Sequence, residues 1–167
     1  MADETLPDAG PASGPAAGSN EAAPSGGWMG EVTEGEWTGW LKWMPGDPFE
    51  DHVGPFYARR ESEGMLCAFR PQSHNCNGGG TIHGGTLMTF ADYALFMIAG
   101  QSGEMMHGVT VTMNSEFVGP ARPGEMLTAR GEVVRAGKSL VFVRGMISGE
   151  AGAVLAFSGT IKRIRHG

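Results

Sequence analysis

The sequence predicts an α+β domain in which an antiparallel sheet curls around one buried helix. Three observations carry that expectation. Leu87-Met-Thr-Phe-Ala-Asp-Tyr-Ala-Leu-Phe-Met-Ile-Ala99 is the most hydrophobic stretch of the chain, and it is shorter than the ~20 residues that cross a bilayer, as befits a core helix. A glycine turn, Gly78-Gly-Gly-Thr-Ile-His-Gly-Gly85, runs directly into it. After the helix the period changes: Gly108-Val-Thr-Val-Thr-Met-Asn114 alternates apolar and polar residues, and strand-like segments follow near 125–136, 139–149 and 152–164.

Each element follows from its residues. Positions 1–27 are nearly all Ala, Gly, Pro, Ser, Asp, Glu and Asn, which bury too little apolar surface to offset chain entropy, so a disordered tail is expected. Residues 28–60 differ: Trp37, Trp40 and Trp43 recur every three positions, and Asp47-Pro48 is a helix-start signal. They predict an aromatic extension with a short helix or two, packed on a main domain at 61–167. Glu63–Arg70 reads as the first strand, ended by Pro71, with a polar loop over 71–83 and the buried helix from Gly84 to Ala99. Four strands succeed one another after it. The turns Ala136-Gly-Lys-Ser139 and Ser148-Gly-Glu-Ala-Gly152 are of hairpin type, so these strands are expected to pair with their sequence neighbours in a meander.

Composition narrows the function classes. At 167 residues, with 41% hydrophobic and 18% charged positions, one soluble domain of roughly 130 residues is expected. A net charge of −6 repels nucleic acid at long range. The N-terminus lacks both a basic and an apolar signal region, so a cytoplasmic location, away from membranes, is expected. Cys67 and Cys76 show no CxxC spacing, and His74, Cys76 and His83 have no regular ligand spacing, so reduced thiols, no metal and no cofactor are expected.

Asp92 sits inside the apolar helix, where a carboxylate is costly unless paired, hydrogen-bonded or engaged in chemistry. The glycine turn before it offers a second chemical feature. A glycine-rich loop entering a helix exposes backbone N–H groups without intrahelical acceptors, which suit a carbonyl oxygen that becomes negative during reaction.

The string Asn77-Gly-Gly-Gly-Thr-Ile-His83-Gly84-Gly85-Thr-Leu-Met-Thr-Phe-Ala-Asp92, with Gly108-Val-Thr110-Val-Thr-Met-Asn114 and Phe117-Val-Gly-Pro120, resembles the hotdog-fold acyl-CoA thioesterases of the PaaI-like family, within the 4-hydroxybenzoyl-CoA thioesterase superfamily. The resemblance covers roughly residues 63–164. It implies a curved sheet around a central helix, homodimers and often homotetramers, and hydrolysis of acyl-coenzyme A thioesters, with coenzyme A present only as part of the substrate. It also implies roles: Asp92 as the catalytic carboxylate, Asn77 and the Gly84 N–H as carbonyl-polarising groups, and Thr110 as a holder of water beside the carboxylate. His83 and Gly85 adjoin this site as candidate substrate contacts. Arg135, Lys138 and Ser139, in a hairpin, are candidates for the coenzyme A phosphates.

Helix geometry adds a constraint. Eight residues at ~1.5 Å each separate Asp92 from Gly84 by roughly 12 Å along the axis, whereas a base must lie within about 3 Å of the atom or water it serves. If both residues act on one carbonyl, they come from different subunits. Two such helices packed antiparallel about a two-fold axis bring Asp92 of one subunit to Gly84 of the other and create two equivalent sites.

Structural alternatives stand beside these roles. Asp92 can satisfy neighbouring backbone or an Arg, Thr110 is an ordinary strand residue, Asn77 can shape a turn, and His83 can orient the loop. Asp92 can act on water as a general base or attack directly to give a mixed anhydride. Two other functions share the fold, namely hydration or dehydration of an enoyl thioester with His83 as base, and non-catalytic acyl-CoA binding. Met88, Phe90, Met97, Phe56 and Tyr57 are candidates to line an acyl tunnel.

Overall fold

The structure, a computed structural model, describes residues 28–100 and 106–164; the expected disordered tail at 1–27 lies outside them. In chain order the elements are β1 (Trp28–Glu31), β2 (Leu41–Met44), α1 (Pro48–Val53), β3 (Tyr57–Glu61), β4 (Gly64–Phe69), a 3-10 turn (Ser73–Asn75), α2 (Gly84–Ala99), β5 (Gly108–Phe117), β6 (Leu127–Ala136), β7 (Leu140–Gly149) and β8 (Gly152–Arg163). The strands form one antiparallel sheet in the order β1-β2-β3-β4-β6-β7-β8-β5.

Helix α2 forms where its apolar run predicts and supplies the core of the sheet's concave face. Phe90, Leu95 and Ile98 are fully buried, each worth ~1.5–3 kcal/mol in apolar transfer. Two strand glycines let the helix approach. A Cβ at Gly131 would lie 2.8 Å from Ile98 Cδ1, and one at Gly159 would lie 2.5 Å from Leu95 Cδ1. The sheet therefore bends around α2 where it lacks side chains.

Two features differ from the sequence reading. Residues 28–60 do contain the helix announced by Asp47-Pro48, whose carboxylate accepts from the N–H groups of Phe49 and Glu50 at 2.9 and 3.0 Å. The rest of that segment, however, adds three strands to the sheet. The reason is β4, which is buried on both faces: Met65, Cys67 and Phe69 join the α2 core, while Leu66 and Ala68 pack against Trp40. The tryptophans cover this second face, with Trp37 stacked on Tyr57 at 4.2 Å.

The four C-terminal strands are also not a simple meander. The β6–β7 and β7–β8 hairpins form, but β5 pairs with β8 rather than β6. After Phe117 the chain is drawn away from β5: Val118 and Gly119 donate to the Val154 carbonyl, and Ala121 accepts from the Ile82 N–H. That path delivers β6 to the open edge of β4, with Cys67 opposite Ala129.

Candidate active site

The outer edge of the sheet and the middle of α2 meet at Asp92. Its neighbours Ala91, Tyr93, Ala94 and Leu95 are buried, while Asp92 is half-buried. Thr110, third residue of β5, donates its hydroxyl to Asp92 Oδ1 at 2.6 Å. This is the length of a charge-assisted O–H···O bond, and it leaves the second carboxylate oxygen unengaged by Thr110. The carboxylate opens on a cleft of about 380 Å³ whose walls include Trp43, Phe96, Met97 and Met106 beside the polar groups of Asp47, Glu50, Tyr93 and His107.

A second polar feature lies at the start of α2. His83 has extended backbone at the N-cap position, and its Nδ1 accepts from the Gly85 N–H at 2.9 Å. Both residues are thus engaged with each other in the cap. Gly84 is the first helical residue, so its N–H has no intrahelical acceptor. The ring of Phe117 lies over it, and a Cβ at Gly84 would stand 3.1 Å from that ring.

The loop before the cap is closed by a bridge between Cys76 and Ile82. Inside it Asn77 Oδ1 accepts from Gly79 at 2.9 Å, and its Nδ2 donates to Thr81 Oγ1 at 2.9 Å. Asn77 therefore shapes the turn, the structural alternative to a carbonyl contact, with one of its two amide N–H donors committed.

The structure thus brings Asp92 and Thr110 together, groups His83, Gly84 and Gly85 at the helix start, and separates the two clusters by the eight-residue rise of α2. Arg135, Lys138 and Ser139 sit together at the exposed β6–β7 tip, apart from the residues lining the Asp92 cleft. The register places that tip at the Thr110 end of the sheet, because Thr110 faces Ile161, Ile161 faces Val141, and Val141 faces Ala136. Three inter-strand spacings make that separation about 14 Å.

Of the expected tunnel residues, only Met97 lines the cleft. Phe56 and Phe90 are closed within the core, Tyr57 is stacked on Trp37, and Met88 faces outward.

Three contributors were missed. Glu50 reaches the cleft from α1, and burial, reinforced by Asp47, Asp92 and Asp51, pushes its carboxyl up to about 7. Tyr93 is 3% exposed, its hydroxyl has no hydrogen-bond partner among the described residues, and burial pushes its pKa upward. Asn75 is buried and ties three elements: its Nδ2 donates to the Val53 carbonyl at 2.7 Å, and its own carbonyl accepts from the His83 N–H at 2.8 Å and the Thr86 hydroxyl at 3.3 Å. The helix signal at Asp47-Pro48 was the one local clue, since it sets Glu50 in the first turn of a helix. Nothing local showed which element that turn would face.

The profile described as the thioesterase superfamily matches residues 79–156. A Pseudomonas aeruginosa protein, named provisionally as an esterase, is 36% identical over 106 residues, covering 62% of this chain and 79% of that protein. The chain belongs to the thioesterase superfamily. Within this superfamily it is also similar to mouse acyl-coenzyme A thioesterase 13, at 30% identity over 80 residues, 48% of this chain and 57% of the mouse protein. The fold is the hotdog fold: a mutant form of the phenylacetic acid degradation protein PaaI from Thermus thermophilus superposes with a TM-score of 0.61 at 24% identity, over 71% of this chain and all of that one. Among the described residues no helix is long and apolar enough to cross a membrane.

Proposed function

We propose that this protein hydrolyses acyl-CoA thioesters to the free acid and coenzyme A, with Asp92 of one subunit and the Gly84 N–H of its dimer mate acting on one carbonyl. The observation that carries this reading is the Thr110–Asp92 hydrogen bond at the mouth of a mixed apolar and polar cleft. Thr110 orients the carboxylate, whose other oxygen takes a proton from water. That water adds to the thioester carbon while the Gly84 N–H, unserved within its own helix, stabilises the developing oxyanion. Asn77 has one amide N–H left to assist. A thiolate is a good leaving group, so this machinery suffices without a metal or cofactor.

The acyl group enters the cleft walled by Trp43, Phe96, Met97 and Met106, and a thioether wall adapts to varied shapes. The coenzyme A phosphates meet Arg135, Lys138 and Ser139, which share the Thr110 end of the sheet. His83 spends its Nδ1 on the Gly85 cap, so the hydration alternative gains no support from it.

Thiol release over an acyl-CoA panel, run with wild type and Asp92→Ala, tests the reading. Turnover of at least one acyl-CoA, reduced by about 100-fold or more in Asp92→Ala, is expected from the contribution of a positioned base. Tight acyl-CoA binding without turnover would replace hydrolysis with a binding role.

A further inference from the structure

Hydrolysis at Asp92 leaves one proton unassigned. Asp92 removes a proton from water, while the departing sulfur of coenzyme A is an alkyl thiolate that must acquire one. Besides Asp92 and the helix-capping Asp47, the cleft contains a third carboxyl, that of Glu50, placed to hold it.

Glu50 projects from α1, and α1 is fastened on three sides. Asp47 caps its start, Lys42 of β2 pairs with Asp51 at 2.8 Å, and Asn75 binds the Val53 carbonyl at its end. Held this way, α1 sets Glu50 on the wall of the cleft that Asp92 lines from α2. Tyr93 lines the same wall. Its hydroxyl is buried, has no hydrogen-bond partner among the described residues, and feels the charge of Glu50. Among the described residues, the ionisable groups around Glu50 are Asp47 and Asp51 on its own segment, Asp92 and Tyr93 on α2, and His107 ahead of β5. Lys42, the nearby cation of β2, is engaged with Asp51.

We propose that Glu50 is a further catalytic residue of this site, the general acid that protonates the leaving thiolate, working as an acid–base pair with Asp92. The assignment rests on the thioesterase reading above. In the first step water loses a proton to Asp92 and its oxygen bonds to the thioester carbon, moving the carbonyl π pair onto oxygen. In the second that pair re-forms the carbonyl, the C–S bond breaks with its electrons on sulfur, and sulfur takes the Glu50 proton. The proton on Asp92 then passes to Glu50, which restores both groups and releases acid and thiol. Burial and the flanking carboxylates, which push Glu50 up to about 7, keep a proton on it near neutrality, where an exposed glutamate is ionised.

The test compares one acyl group carried on coenzyme A and on an acidic arylthiol, thionitrobenzoate, with wild type, Glu50→Gln and Asp47→Asn. An arylthiolate leaves without a proton. Glu50→Gln is therefore expected to lower kcat for the CoA ester by about 100-fold, the scale of general acid catalysis, and for the aryl thioester by less than about threefold. The wild-type kcat/KM for the CoA ester is expected to fall above about pH 7, with that limb absent in Glu50→Gln. Asp47→Asn keeps the helix cap, since Asn caps as well as Asp, but removes a like charge, so it shifts the limb to lower pH.

Equal losses on both esters, or no loss on either, overturn the assignment. An unmoved limb in Asp47→Asn does the same even if Glu50→Gln fails to fold. If wild type hydrolyses neither ester, the thioesterase reading itself falls and the Glu50 role falls with it. If wild type hydrolyses both and Glu50→Gln is unchanged, only the Glu50 role falls.

Discussion

Replacing Thr110 with Val removes a hydroxyl and keeps the shape, which isolates the single bond that orients Asp92. The bond is 2.6 Å long and reaches a carboxylate, so it belongs to the class worth about 1.5–3 kcal/mol. If all of that were lost in the transition state, the rate would fall about 10- to 150-fold at 1.4 kcal/mol per decade. A second effect opposes the first, because a carboxylate without its donor is a stronger base. The expected loss in kcat/KM is therefore near the lower end, about tenfold. Thr110→Ser keeps the hydroxyl and should stay within about threefold of wild type. The assay is thiol release measured as a double-mutant cycle with Asp92→Asn, where Thr110→Val should cost almost nothing further because the group it orients is gone. Activity of Thr110→Val within twofold of wild type would refute the orienting role. So would an equal cost in the Asp92→Asn background.

Other consequences are equally direct. Glu50 binds its proton more tightly in the folded chain, whose carboxyl is raised to about 7, than in the unfolded one. Stability from this group is therefore present below about pH 4.5 and lost as pH rises to about 7. In thermal melts Glu50→Gln should gain on wild type at pH 8 relative to pH 5, and an unchanged difference would contradict the burial of that carboxyl. Gly131→Ala should destabilise by about 1–3 kcal/mol or more, because its Cβ would lie 2.3 Å from the Arg144 carbonyl oxygen and 2.8 Å from Ile98 Cδ1; a denaturant midpoint equal to wild type would show that α2 does not approach so closely. Neutralising Arg135 and Lys138 together should raise KM for acyl-CoA several-fold while leaving the same acyl group on N-acetylcysteamine unaffected, since that thiol carries no phosphate. Equal effects on both substrates would remove the hairpin tip from the binding site.

The legible parts of this fold are those whose signals are local. The apolar run with one carboxylate gave α2 from Gly84 to Ala99, and the glycine-punctuated alternation gave the two C-terminal hairpins. Asp92 as a carboxylate and Thr110 as a holder of water beside it came from residues matched to a family pattern, and the structure joins the two by a direct hydrogen bond. What escaped was set by partners distant in sequence. β4 reads as one apolar run, and nothing in that run shows that its alternate residues face different layers, one packed on α2 and the other on Trp40. The edge position of β5 depends on the path of residues 118–126, held by the carbonyl of Val154 and the N–H of Ile82, neither of which side-chain periodicity reports. Asn77 was legible as either a turn former or a carbonyl contact, and the Thr81 and Gly79 hydrogen bonds favour the turn. Glu50 escaped for the same reason as β4: its place in the cleft arises only when α1 is folded onto the Asp92 side of α2.

The central claim is that one carbonyl is served by Asp92 of one subunit and Gly84 of the other, and subunit complementation tests it most directly. Gly84→Pro removes the N–H at a first-turn position where proline suits a helix, and Asp92→Ala removes the base. Each variant alone should be inactive. Co-expressed in equal amounts with different tags, they should recover about one quarter of wild-type activity, because half the dimers are mixed and each mixed dimer holds one intact site and one doubly defective site. No recovery in isolated mixed dimers would mean that both groups act within a single chain, and the composite site would be wrong.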